Sequence, residues 1–140
     1  GRSDIKPKLV LTVIGSFQVA FAIGIFFNAG ALASDGIDKI SEQALWLASL
    51  FVEVMAAMSL GTGIVYLLSR DIETSAAKKV LTGAGFAYLA MVAVMIYHLV
   101  ANADVQGGKP PMPLMILFPV LAVWSLYVGN CCSTKKDSTE

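Results

Sequence analysis

The stretch ALWLASLFVEVMAAMSLGTGIVYLLS, residues 44–69, decides the fold. Glu53 is its only charged residue. A helix needs about 20 predominantly apolar residues to cross a bilayer, and this run exceeds that length. Its apolar residues do not alternate with polar ones at period two, so a transmembrane strand is excluded and a helix is the spanning form.

Three more runs of the same kind lie at 9–27, 80–102 and 114–129. The fourth is the shortest and holds Pro119, which should kink it by removing one backbone bond. Polar or helix-breaking residues bound the runs: Asn28, Arg70 with Asp71, Gly107 with Gly108, and Asn130. The segments between them are short, so sequential helices are expected to pack as antiparallel neighbours. Thr74 or Ser75 is positioned to cap the third span.

Composition agrees. Of 140 residues, 56% are apolar and only 14% are charged, and the net charge is zero. Mean hydropathy is +0.72. A soluble domain of this size leaves too much surface in water to carry such a composition. Without a basic excess, nucleic-acid binding is excluded as well. The expectation is an all-α integral membrane protein: one domain, residues 1–140, folded as a four-span antiparallel transmembrane helix bundle.

Charge sets the orientation. Arg2, Lys6, Lys8, Arg70, Lys78, Lys79, Lys135 and Lys136 fall on one side of the four spans, and only Lys39 and Lys109 fall on the other. The positive-inside rule then puts both termini on the cytoplasmic-equivalent side. Asp35, Asp38 and Glu42 face outward. The membrane is a bacterial inner or plasma membrane, or an organelle inner or thylakoid membrane. Ala31-Leu32-Ala33 after the first run resembles a signal-peptidase site, but the run is longer than a signal core and reads as a retained helix.

Helices in lipid associate through close packing and a few polar contacts. Ser16, Ala20 and Gly24 form a small-residue stripe on the first span, expected to serve packing within the bundle, with a dimerisation or partner-docking face as the alternative. Ala56, Ser59, Gly61 and Gly63 on the second span, and Gly83, Ala84 and Gly85 on the third, offer the same. Trp46, Trp124 and Tyr127 sit near span ends and read as interfacial anchors.

The polar residues inside the spans are the candidates for function. Glu53 lies about 13 Å below the outer end of its span, near the bilayer centre, where an ionisable group is a functional candidate by default. His98 lies near the outer end of the third span, on one helical face with Tyr88, Met91, Met95 and Asn102. Glu53 and His98 are roughly 8 Å apart along the membrane normal, close enough for a link through Tyr97 or a water. Gln18 completes a network with Tyr88. Three uses compete: a structural network, a site for an apolar ligand such as a lipid or pigment lined by Met55, Met58, Met91 and Met95, and proton transfer centred on Glu53. Haem ligation is not demanded by any spacing. Cys131 and Cys132 follow the fourth span directly and are either inert thiols or lipidation sites. No nucleotide-binding, hydrolase, zincin or redox-dithiol motif is present in the sequence, and no metal site is legible.

The function expected from these features is non-catalytic: an accessory or assembly subunit of a larger membrane complex or homo-oligomer, in contact with membrane lipids and holding a lipid or apolar cofactor. The alternative is a small proton-linked transporter or membrane-embedded enzyme centred on Glu53 with His98.

Overall fold

The computed structural model describes residues 2–107 and 109–131, all helices and connecting turns. Helix α1 spans Arg2–Phe27, α2 Ala29–Ser34, α3 Glu42–Ser69, α4 Thr74–Ala101 and α5 Met112–Asn130. Of these, α1, α3, α4 and α5 are long and apolar enough to cross a membrane. Each matches one of the expected runs, with α4 starting six residues earlier than the run at 80–102 and ending one residue before its end. The short α2 lies inside what the sequence reads as an outer loop. Asn28 makes the junction: its side-chain amide donates to Gly24 O at 2.8 Å, and its carbonyl accepts from Leu32 N.

Local chemistry sets the boundaries. Ser41 Oγ accepts from Ala44 N at 3.2 Å, and Glu42 in the first turn complements the positive end of α3. Helix α4 starts one residue earlier than the expected caps allow. Glu73 occupies the N-cap position without a side-chain bond, so Thr74 and Ser75 lie inside the helix instead of capping it. Pro111 precedes α5 and Pro113 sits in its first turn, where a missing N–H costs little. Gly36 and Gly107 have φ of 72° and 73°. At Gly107 a side chain would also strike Ile37, with Cβ 2.6 Å from its Cγ1.

Helix α1 is the hub. Along α3, buried or half-buried positions recur at Leu45, Ser49, Val52, Ala56, Ser59, Gly63 and Tyr66, alternating steps of four and three. That spacing makes a straight seam in a left-handed pair. The seam lies on α1, and the backbones come closest where Gly15 meets Gly63: a Cβ on either would sit 2.9 Å from the other's carbonyl oxygen. Helices α4 and α5 form a second close pair. There a Cβ on Gly85 would meet Leu126 Cγ at 2.4 Å, and one on Gly129 would meet Thr82 Oγ1 at 2.6 Å. The two pairs join through α1. Phe17 and Phe21 pack edge-on against Phe118 of α5, with ring centroids 6.3 and 6.1 Å away.

Two packing expectations are corrected. Helices α3 and α4 touch only slightly, and among the described residues α3 has no contact with α5. Glycine-to-glycine nesting holds α3 on α1, and the Arg70–Glu73 turn reverses the chain without laying α4 along α3. The stripe Ser16, Ala20 and Gly24 faces outward; all three are exposed, and nothing lies within 4 Å of a Cβ at Gly24. The contact face of α1 is offset by one residue, about 100° around the helix, to Gly15, Gln18 and Ala22.

The core, including Val10, Leu11, Ile14, Leu81, Ala84, Tyr88, Leu121 and Val128, gathers in the half of the bundle nearer the chain termini. Lys8 Nζ pairs with Asp71 Oδ1 at 2.7 Å at that end. At the opposite end Gln106 Nε2 donates to Asp38 Oδ2 at 2.9 Å. Large apolar side chains cover the outside, among them Phe27 at 80% exposure, Leu68 at 73% and Val100 at 74%. A soluble protein rarely shows such a surface; a bilayer or other helices would cover it.

The Lys8 ammonium bonded to Asp71, with Arg70 beside it, holds the Asp71 carboxyl below its usual range. A depressed folded-state value stabilises above the ordinary aspartate range near pH 4, and the effect is lost as pH falls through the lower folded value. Asp71→Asn should therefore lower thermal stability slightly at neutral pH, and the gap to wild type should close in strong acid. A melting series in detergent against pH checks it. A gap that widens in acid would contradict the sign.

Candidate functional site

Gln18 sits on the contact face of α1, midway along the helix and 8% exposed. Its Nε2 donates to the hydroxyl oxygen of Tyr88 on α4 at 2.8 Å. Ser59 Oγ on α3 donates to Gln18 Oε1, and also lies 3.2 Å from the Gln18 backbone carbonyl. One amide thus ties three helices together. Tyr88 is 1% exposed and its ring lies against Phe118, centroids 5.8 Å apart. A buried amide without partners would be costly in an apolar interior, and this one is bonded on both its oxygen and its nitrogen. The sequence pairs Gln18 with Tyr88, and the structure joins them. The sequence marks Ser59 only as a small packing residue. Its signal is a hydroxyl at a seam position of α3, between Ala56 and Gly63.

The remaining candidates stand elsewhere. Glu53 flanks the α3 seam, one turn from Ser49 and one from Ala56, and is half-buried. Among the described residues it makes no hydrogen bond or ion pair. His98 is exposed near the end of α4; Asn102 Nδ2 donates to its Nδ1 at 2.8 Å, and Tyr97 meets it edge-on at 5.3 Å. The structure does not link Glu53 to His98, because α3 and α4 share almost no contact. Met55 and Met58 are exposed on α3. Met91 is 37% exposed on α4, and Met95 packs against the core. Cys131 is half-buried at the C-cap of α5, and Cys132 lies outside the described residues. Of the interfacial aromatics, Trp46 and Tyr127 are exposed, and Trp124 leans on the core. Among the described residues no group of three or more His, Cys, Asp and Glu could hold a metal.

In comparisons with known proteins, no family model, no curated protein and no solved structure matches this chain. The Gln18–Ser59–Tyr88 triad contains no strong base and no activated nucleophile; its polar atoms are spent on one another, which suits register and packing. Glu53 is left over: a carboxyl in the body of a long apolar helix whose contacts with the other spanning helices, among the described residues, fall almost wholly on α1.

Proposed function

We propose that this protein is a non-catalytic subunit of an integral membrane assembly, with the basic end of the bundle and both chain ends on the cytoplasmic-equivalent side. Helix α3 makes the lateral contact, through the face that carries Glu53. The partner is a neighbouring transmembrane helix, from a second copy or another subunit, that offers Glu53 a hydrogen-bond donor or a cation. The observation that carries this reading is Glu53 itself. An intramembrane carboxyl is costly facing lipid and is generally paired, and its own chain supplies it no partner among the described residues. The positive-inside asymmetry supports the orientation.

The test is native mass spectrometry of the protein extracted gently from its own membrane. A second chain should remain at fixed stoichiometry. Glu53→Leu should lower the assembled fraction roughly tenfold, the scale of one or two polar contacts between membrane helices, and Glu53→Gln should lower it less. A wild-type protein that runs alone, and that carries a proton flux in liposomes which Glu53→Gln abolishes, would replace assembly with transport.

A further inference from the structure

Helices α3 and α4 are tied together at both ends and scarcely touch between them. At the basic end the turn at 70–73 joins them. At the other end Gln106 Nε2 donates to Asp38 Oδ2 at 2.9 Å, and Gly107 lies against Ile37 beside Gly36. The result is a slot, open sideways, with α1 behind it. Its walls follow from the helix faces. On α3, Phe51, Met55, Met58 and Thr62 recur at steps of four and three, and all are exposed. The same row runs on to buried Tyr66, which lies close enough to Tyr88 of α4 for the two side chains to interact. That approach turns the row toward α4. On α4, Met91 and Met95 follow Tyr88 at three and seven residues, on its face. Gln18 bonds both Ser59 and Tyr88, which sets those two at one depth. Counted outward from them, Met91 comes level with Met55 and Met95 with Phe51, within about one residue's rise. Four of the chain's six methionines border the slot. The polar groups along it are bonded within the chain: Thr62 to Met58 O at 2.8 Å, Gln18 to Tyr88, and His98 at the outer rim to Asn102.

We infer that this slot binds one acyl chain of a membrane phospholipid. Methionine is unbranched, polarisable and adaptable, so a methionine-lined wall moulds itself to a flexible chain. A hydrocarbon tail asks for no hydrogen bond, which suits walls whose polar groups are already engaged. A spanning protein helix is about 10 Å across and must leave the membrane at both faces. The two ties cross that path, whereas an acyl chain enters from the side. Met55, Met91 and Met95 lie outward of Gln18, so the chain belongs to the leaflet away from the basic end. The site rests on the membrane reading but not on Glu53, which is two residues from Met55 and so about 160° away around α3.

The experiment places the full chain in nanodiscs of phosphatidylcholine whose acyl chains carry a photoactivatable group, and maps the adducts by peptide mass spectrometry. Adducts at 51–58 and 91–95 should exceed those at Met112, a methionine 70% exposed on α5, roughly tenfold, the scale of about ten added carbon–carbon contacts. Native mass spectrometry after detergent exchange should find one phospholipid retained per chain. Met55→Trp with Met91→Trp fills the slot and should abolish both signals. Val100→Trp with Val123→Trp adds the same bulk at positions 74% and 66% exposed, outside the slot, and should leave both unchanged. Labelling as strong at Met112 as in the slot, or lipid retained by the filled variant, would overturn the site. The wild-type adduct map decides the question even where the filled variant does not fold.

Discussion

Gly63→Leu should detach α3 from α1 and destabilise the bundle by about 3 kcal/mol or more, the upper end for overpacking a close contact. The cause is local. A Cβ at Gly63 would sit 2.9 Å from Gly15 O, 2.9 Å from Gln18 Cβ and 3.0 Å from Val19 Cγ2. Two of these atoms are backbone or Cβ and cannot swing aside, so the helices must separate. Separation also breaks the Ser59–Gln18 bonds, which depend on the same approach. Gly63→Ala should cost less, about 1–3 kcal/mol. Gly61→Ala and Gly24→Ala are the controls: both positions have nothing within 4 Å. They should be neutral or stabilising by up to about 1 kcal/mol, since alanine favours the helix over glycine and meets no obstacle. Unfolding in mixed micelles by SDS titration measures all four. Equal effects of Gly61→Ala and Gly63→Ala would mean that α3 meets α1 on another face.

Gln18→Leu should cost about 2 kcal/mol, because it strands the Tyr88 hydroxyl in the bundle interior and leaves Ser59 Oγ only its longer bond to the residue-18 backbone carbonyl. Tyr88→Phe should cost about 1 kcal/mol, since it removes one bond and leaves the amide bonded to Ser59. Combined, they should cost less than their sum, because either change alone already breaks the shared bond. The same titration reads this cycle. Strict additivity would show that Gln18 and Tyr88 stabilise the fold independently and that the amide does not tie α1 to α4.

Hydropathy made the four long helices legible. The run at 44–69 became Glu42–Ser69, and the one at 114–129 became Met112–Asn130. The Gln18–Tyr88 pairing was also legible, since each is a polar residue inside an apolar span and must find a partner. The contact faces were not. Helices that are apolar all round carry no amphipathic stripe, so the pattern that orients a soluble helix is missing. Ser16, Ala20 and Gly24 therefore looked like a contact face, although Gly15 one residue away makes the contact. Loop length suggested that α3 and α4 pack together, but a short turn fixes only where the chain reverses. Whether the two helices then touch depends on Gly63 meeting Gly15 on a different helix, which no local pattern announces. Ser59 was missed for the same reason, since its role exists only once the seam of α3 is laid on α1.

Another protein helix should cover the Glu53 face of α3. A photoactivatable residue at Ala57, exposed one turn from Glu53, tests it most directly in the intact native membrane, with Phe86, 61% exposed on α4, as the comparison site. Position 57 should give a discrete protein adduct that weakens with Glu53→Leu, and position 86 lipid adducts alone. Lipid adducts alone from both positions would contradict it.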